Sequence, residues 1–186
     1  FTYKYDGPLD LRLDPTRGTS AAERLRELTQ EEVEGMLVTN SDEPYAAEIA
    51  KAVTAVFRKG GRIDTTLELR DVIGQALCAL PEKERRETLK KSCARTFQAL
   101  RIDVNSEFEV LEAFLSKLPD VLAPGGRAAI LTFHSGEDRL VKQSFKSLYR
   151  EGVYKEISKD VIRPSAQECN SNSRARSTKM RWAVRA

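Results

Sequence analysis

Several things are scarce in this chain, and each scarcity removes a class of function. Histidine occurs once, as His134. The three cysteines, Cys78, Cys93 and Cys169, show neither CxxC nor Cys/His spacing. That argues against a zinc site and for reduced thiols in an intracellular or organelle-stroma setting. No apolar run approaches the ~20 residues that a membrane span needs. The opening residues, "FTYKYDGPLD", contain no apolar h-region, no transit-peptide character and no initiator Met, and read as the middle of a protein. No GxGxxG occurs; Gly60-Gly61 and Gly125-Gly126 read as a helix stop and a turn. Acidic residues are missing from Cys169 to Ala186, where Arg174, Arg176, Lys179, Arg181 and Arg185 all fall. A segment of one sign in a chain of net charge +3 suggests a polyanionic partner; the plainer alternative is a solvated basic tail.

What is present looks like an ordinary globular composition, 40% hydrophobic and 32% charged, with enough residues for one good core or a core with a sizeable insertion. Residues 1–19, with Gly7, Pro8, Pro15 and Gly18, read as an ordered loop. Helix signals follow. Ser20 with Glu23, Thr29 with Glu32 and Thr65 with Glu68 form capping-box patterns. "PYAAEIAKAVTAVFRKGG" at 44–61 is the clearest helix, apolar at Ile49, Val53, Val56 and Phe57 and stopped by the glycine pair. Residues 82–92 are charged and read as a loop or an exposed helix. Residues 93–118 resume a helical period through Phe97, Leu100, Val104, Phe108, Leu111 and Leu115.

The pattern changes at Leu122. "LAPGGRAAILTF" is a turn followed by a short apolar run that fits a buried parallel strand. "SGEDRLVKQSFKSLYREG" reads as a helix with Ser135 as N-cap and with Glu137 and Asp138 at its positive end. Two more strands are expected, one within 153–163 and one at "KMRWAVR", 179–185. Phe97 and Trp182 read as core residues.

The Leu-x-Pro-Gly-Gly turn at 122–126 resembles that of class I S-adenosylmethionine methyltransferases. "DGPLDLRLD" at 6–14, "RTFQALRIDVN" at 95–105, "FHSGEDRLVK" at 133–142 and "NSRARSTKMRWAVR" at 172–185 resemble, in order and interval, the motifs of the RsmH (MraW) family. The chain departs from that family's pattern at Gly136, where Leu is usual, at Ser173, where Pro is usual, and at "NSDEP", 40–44. The resemblance implies an α/β fold: the C-terminal part of a Rossmann-like class I methyltransferase sheet with a large all-helical inserted domain. On that view residues 1–19 enter from the missing N-terminal half, 20–118 are the helical insert and its return helix, and 119–186 rejoin the sheet. The family's glycine-rich cofactor loop and ribose-binding acid would lie upstream of Phe1. No cofactor-binding residue is therefore assigned here, and the isolated chain is expected to be inactive. No metal is implied.

The implied reaction is S-adenosylmethionine-dependent methylation of cytosine N4 in small-subunit (16S-type) rRNA at the decoding centre. The partner would be that rRNA or the ribosomal subunit. The compartment would be the cytoplasm in a bacterium, or a plastid or mitochondrion in a eukaryote. Such an enzyme needs the base unstacked, an acceptor near the amine and a basic surface for RNA. His134, at the end of a strand, either shapes the substrate side of the cleft or merely closes the strand with Ser135 as cap. Arg95, Gln98, Arg101 and Asn105 share one polar helix face, suited to phosphates and base edges or simply solvated. Asp10 and Arg12 are either a salt-bridged loop or part of the active-site rim. Arg174 and Arg176 are either phosphate contacts or ties for the last strand. No catalytic residue is singled out. Two rival functions remain: a non-catalytic RNA-binding remnant and a helical protein-interaction module.

Overall fold

The computed structural model describes residues 5–186, so the first four residues of the expected entry loop lie outside the described residues. The chain divides into two compact units, Phe1–Glu107 and Phe108–Ala186.

The first unit is helical: α1 (Ala21–Glu27), α2 (Gln30–Ser41), α3 (Ala46–Arg58), α4 (Thr66–Ala76) and α5 (Glu82–Val104). All three expected capping boxes form, with both reciprocal bonds present at Ser20/Glu23, Thr29/Glu32 and Thr65/Glu68. Each box satisfies two backbone donors that the first helical turn leaves orphaned. The charged stretch 82–92 is the first half of α5, which Pro81 opens at its N-cap. The core gathers Leu25, Leu37, Ile49, Val53, Leu69, Ile73, Phe97 and Leu100. Leu9 and Leu11 of the entry loop join it, while Leu13 is exposed. The helical run expected through residue 118 is interrupted after α5. Asn105 caps α5, and Ser106 turns the chain through the left-handed region at φ 48°. The amide of Asn105 is what makes the break: its Nδ2 donates to the carbonyls of Arg101 and Leu11 at 2.7 and 2.9 Å, and its Oδ1 accepts from the Leu13 N–H at 2.8 Å.

The chain continues through α6 (Glu107–Val121) into the second unit, with β1 (Arg127–Thr132), α7 (Ser135–Arg150), β2 (Tyr154–Ile157), α8 (Ala166–Ser171), a 3-10 turn (Ser173–Ser177) and β3 (Lys179–Arg185). Gly125, at φ 76°, makes the turn into β1. The three strands lie in the order β1-β3-β2, and β3 runs antiparallel to both neighbours. β3 occupies the residues expected of it. β2 is shorter than its window, with Ile162 adding an isolated bridge to Met180. Leu115, Leu118, Ala128, Val141, Phe145, Tyr154 and Ala183 form the core.

β1 differs from the fully buried parallel strand expected. Among the described residues it pairs only with β3, antiparallel, and it buries only Ala128 and Thr132 well. Leu131 and Phe133 are 56% and 54% exposed, so the continuous apolar run reflects two apolar faces of which one is covered here. Trp182 is half-buried rather than a core residue, whereas Phe97 is buried as expected.

Arg181, at the middle of β3, grips Asp138 of α7 with two hydrogen bonds, Nε to Oδ1 at 2.8 Å and Nη2 to Oδ2 at 3.1 Å. Their side chains are only 8% and 16% exposed. Losing one partner strands a buried charge. Asp138→Ala is therefore expected to lower stability by about 3 kcal/mol, and Asp138→Ala with Arg181→Met to recover most of it. Urea denaturation of the wild type and both variants checks this.

Candidate functional site

The junction between β1 and α7 carries the only histidine of the chain. It is organised differently from the sequence expectation. Ser135 is the first helical residue, and His134 itself is the N-cap, in extended backbone conformation. Its Nδ1 accepts from the Glu137 N–H at 3.4 Å, a long bond. Glu137 reaches back and accepts from the Phe133 N–H through Oε2 at 2.8 Å. An imidazole that accepts at Nδ1 carries its proton, when neutral, on Nε2. That Nε2 is buried and has no hydrogen-bond partner among the described residues. It lies 3.4 Å from Oε1 of Glu137, near enough for charge attraction but not aligned as a hydrogen bond. The Phe108 ring tilts against the imidazole at 47°, with centroids 5.9 Å apart. A Cβ at Gly136 would meet Cζ of Phe108 at 2.5 Å, so the missing side chain at 136 is what lets Phe108 approach.

Chemically, the junction holds the imidazole by its Nδ1 and leaves Nε2 without a hydrogen-bond partner among the described residues. Burial pushes the Glu137 carboxyl up. The pull of the His134 side chain and the Phe133 N–H outweighs it, so the group ends below its ordinary value. Sequence reading took Glu137 only for a charge at a helix start. The His-x-x-Glu spacing, a capping box with an imidazole in place of a hydroxyl, was the available signal.

The other candidate residues fall in several places. In the first unit, Asp10 and Arg12 form a bidentate pair at 2.7 and 2.8 Å, and Arg12 also donates to the Gly18 carbonyl at 2.8 Å. The hydrogen bond from Arg12 holds the Asp10 carboxyl below the ordinary carboxylate range. These two residues are a loop clasp with solvent-facing atoms left over. Arg101 is bound to Glu107 at 2.8 and 2.9 Å, Gln98 donates to the Asn40 carbonyl at 3.3 Å, and Asn105 holds the Leu11–Leu13 loop. Arg95, on the same helix, has no ion pair among the described residues. In the second unit, Ser135 is exposed beside His134.

The basic tail separates into two kinds of cation. Arg181 binds Asp138, and Arg185 donates to the carbonyls of Val153 and Pro119 at 2.7 and 3.2 Å. These arginines hold the fold. Arg174 and Arg176 stand exposed on either side of buried Ala175 in the 3-10 turn, where the Arg174 N–H donates to the Asn172 side chain at 3.1 Å. Alternation about a buried alanine directs both guanidinium groups away from the protein. All three cysteines are free; burial pushes the Cys93 thiol up to about 11, which makes it a packing residue rather than a nucleophile.

A mixed α/β protein with its one histidine capping a helix at the end of a strand is what the geometry defines. The chain belongs to the MraW methylase family, whose model matches residues 1–186. It is 65% identical over 186 residues to the ribosomal RNA small subunit methyltransferase H 1 of Lachnoclostridium phytofermentans, covering all of this chain and 51% of that protein. Against the protein of the same name from Agathobacter rectalis the identity is 66% over 186 residues, with 100% and 53% covered. Against the ribosomal RNA small subunit methyltransferase H of Elusimicrobium minutum it is 40% over 183 residues, with 98% and 60% covered. The chain thus spans about half the length of the two more similar relatives. All three relatives are bacterial proteins.

The lowered carboxyl of Glu137 sets a pH dependence. A group whose folded value lies below its unfolded one contributes stability above the unfolded value, ~4.3, and loses it as pH falls through the folded value. Glu137→Gln is therefore expected to flatten the loss of stability on the acid side of that value while leaving the neutral-to-alkaline limb parallel to wild type. Urea midpoints measured from pH 7 down to pH 3 check this.

Proposed function

We propose that this chain is the substrate-facing part of an S-adenosylmethionine-dependent methyltransferase that modifies N4 of a cytosine in small-subunit rRNA at the decoding centre. The carrying observation is the match of the whole chain to a methylase family, together with relatives named as small-subunit rRNA methyltransferases. In a bacterium the compartment would be the cytoplasm.

On this reading the sheet is part of a larger Rossmann-like one, and the helical unit is an insertion into it. The uncovered apolar face of β1 at Leu131 and Phe133 supports the reading, because such a face is normally covered in an α/β sheet. The residues present do not fit the methyl donor. The β1-to-α7 turn, where a helix N-terminus could cradle an anionic cofactor group, has its Phe133 and Glu137 N–H groups occupied by Glu137 and His134. The donor's pocket belongs to the part of the enzyme outside this chain.

What these residues do is bind and position. An exocyclic amine loses its proton readily once it has been alkylated, so no strong base is needed beforehand. His134 then helps to form the wall against which the flipped base is held, with the Phe108 ring packed against its imidazole. Arg174 and Arg176 contact phosphates. On this reading Asp10 and Arg12 remain rim residues and Arg95 a contact for phosphates or base edges, while Gln98, Arg101 and Asn105 act through the neighbouring segments they hold. Ser135, not being the cap, is a neighbour of the base rather than a stabiliser of the helix.

Two outcomes test this. In an enzyme extended to the relatives' length, His134→Ala should slow single-turnover methylation of small-subunit rRNA by about 10–100-fold, about 1.4–2.7 kcal/mol. It should also lower stability by about 1 kcal/mol through the lost cap, whereas Ser135→Ala should leave stability nearly unchanged. Unaltered turnover in folded His134→Ala would leave the residue with the cap alone. Arg174→Ala with Arg176→Ala should make the log–log salt dependence of RNA binding shallower by roughly 1 per lost contact. An unchanged slope would return both arginines to the fold.

A further inference from the structure

Along the last turn of α7 and the length of β2 runs an open groove of about 620 Å³ that no part of the preceding mechanism uses. Lys146 and Arg150 line it from the helix, Lys155 and Lys159 from the strand and the residues after it, and Tyr149 and Trp182 supply aromatic surface. Glu156 is the one carboxylate in the lining. All four cations are exposed, and none forms an ion pair among the described residues. The neighbouring acid Glu151 is engaged by the Ser147 hydroxyl at 2.8 Å. Tyr149 is 49% exposed, and Trp182 is half-buried. The backbone beneath the indole is fixed: the Ser158 N–H donates to the Trp182 carbonyl at 2.9 Å, and the Trp182 N–H donates to the Ser158 hydroxyl at 3.3 Å. The strand that carries the indole is thus held in place before any partner arrives.

We propose that this groove binds a single-stranded RNA segment flanking the modified nucleotide, with phosphates on Lys146, Arg150, Lys155 and Lys159 and a base stacked on Tyr149 or Trp182. The proposal rests on the reading of the chain as an rRNA-modifying protein. An excess of unpaired cations beside accessible aromatic faces is the combination that tracks a phosphate backbone while stacking its bases. Stacking requires bases that are not already paired, which selects single strands over duplex. A concave groove with its aromatics inside is the wrong shape for a lipid surface, which takes up protruding apolar groups. The groove also lies at the far end of α7 from His134. Lys146, the groove residue on α7 nearest His134 in sequence, lies twelve residues beyond it, roughly 18 Å at about 1.5 Å per residue. The groove therefore holds RNA remote from the reacting base and contributes sequence-tolerant affinity and register.

Trp182 is the only tryptophan, so its emission reports on this groove alone. The experiment titrates the 186-residue chain with a fluorescein-labelled twelve-nucleotide oligocytidylate, followed by anisotropy, and with the unlabelled oligomer, followed by tryptophan emission. Expected are saturable quenching over the range in which anisotropy rises, weaker binding to the matching duplex, and at least about tenfold weaker binding with loss of quenching in Lys155→Glu/Lys159→Glu. That variant's log–log salt slope should be shallower by about 1.4, two contacts at about 0.7 each for a single strand. Arg174→Ala/Arg176→Ala should keep the quenching. Lys155→Gln/Lys159→Gln, with far-ultraviolet circular dichroism, replaces the charge reversal if the latter unfolds, and the same directions are expected. Oligomer binding without quenching, unaffected by either double substitution of Lys155 and Lys159, overturns the groove and leaves the RNA reading standing. Absence of any RNA binding overturns both. Quenching by vesicles of phosphatidylglycerol and phosphatidylcholine, but not by RNA, assigns the groove to a membrane surface and overturns the proposal.

Discussion

The pair between Arg181 and Asp138 is the constraint on which the second unit turns. Among the described strands β3 alone is hydrogen-bonded to both others, and Arg181 lies within it. Asp138 lies in the first turn of α7, four residues after His134. A guanidinium removed from water must find a carboxylate with matching geometry, and a two-bond clamp admits one relative placement of strand and helix. The start of α7 is thereby set against the sheet. His134, capping that start, inherits the same placement. The pair acts on the site without touching it.

Charge in this chain becomes informative only once it is sorted by occupation. The tail without acids looks uniform in sequence, yet Arg181 and Arg185 are spent on a carboxylate and on backbone carbonyls, while Arg174 and Arg176 are not. On α5 the same sorting takes Arg101 and Asn105 into structural contacts and leaves Arg95. On α7 and β2 the free cations converge beside aromatics. A charge already neutralised within the fold has little field to offer a phosphate, whereas an unpaired one releases counterions on binding.

Local chemistry was readable from sequence; long-range partners were not. The capping boxes at Ser20, Thr29 and Thr65 are written within four residues and form as read. The alternation of Met180, Trp182 and Val184 located β3 to the residue. Asn105 looked like one more polar position on a helix face, because its partners Leu11 and Leu13 lie far upstream. Ser135 looked like the cap because serine is the commoner capping residue; an imidazole with an acceptor nitrogen did the same task one position earlier. Trp182 looked like core because indoles usually bury, but a narrow sheet with β2 at its edge leaves the ring partly open. The motifs that carry the family resemblance survived these misreadings, since they depend on residue order rather than on partners.

β1 and β3 pair across a long stretch of intervening chain, from Arg127 with Val184 to Thr132 with Lys179. In kinetic terms this makes β1 a late finisher. Its ladder cannot close until α7, β2, α8 and the 3-10 turn have compacted enough to bring β3 alongside, and closure of so large a loop is slow. During that interval "AAILTF" is an apolar strand with both edges open, the kind of segment that self-associates. Arg127 ahead of it and the charged "GEDR" at the start of α7 flank the run and act as gatekeepers against that fate. The uncovered Leu131 and Phe133 prolong the exposure after β3 has docked. In this respect β1 is the segment of the second unit most exposed to self-association.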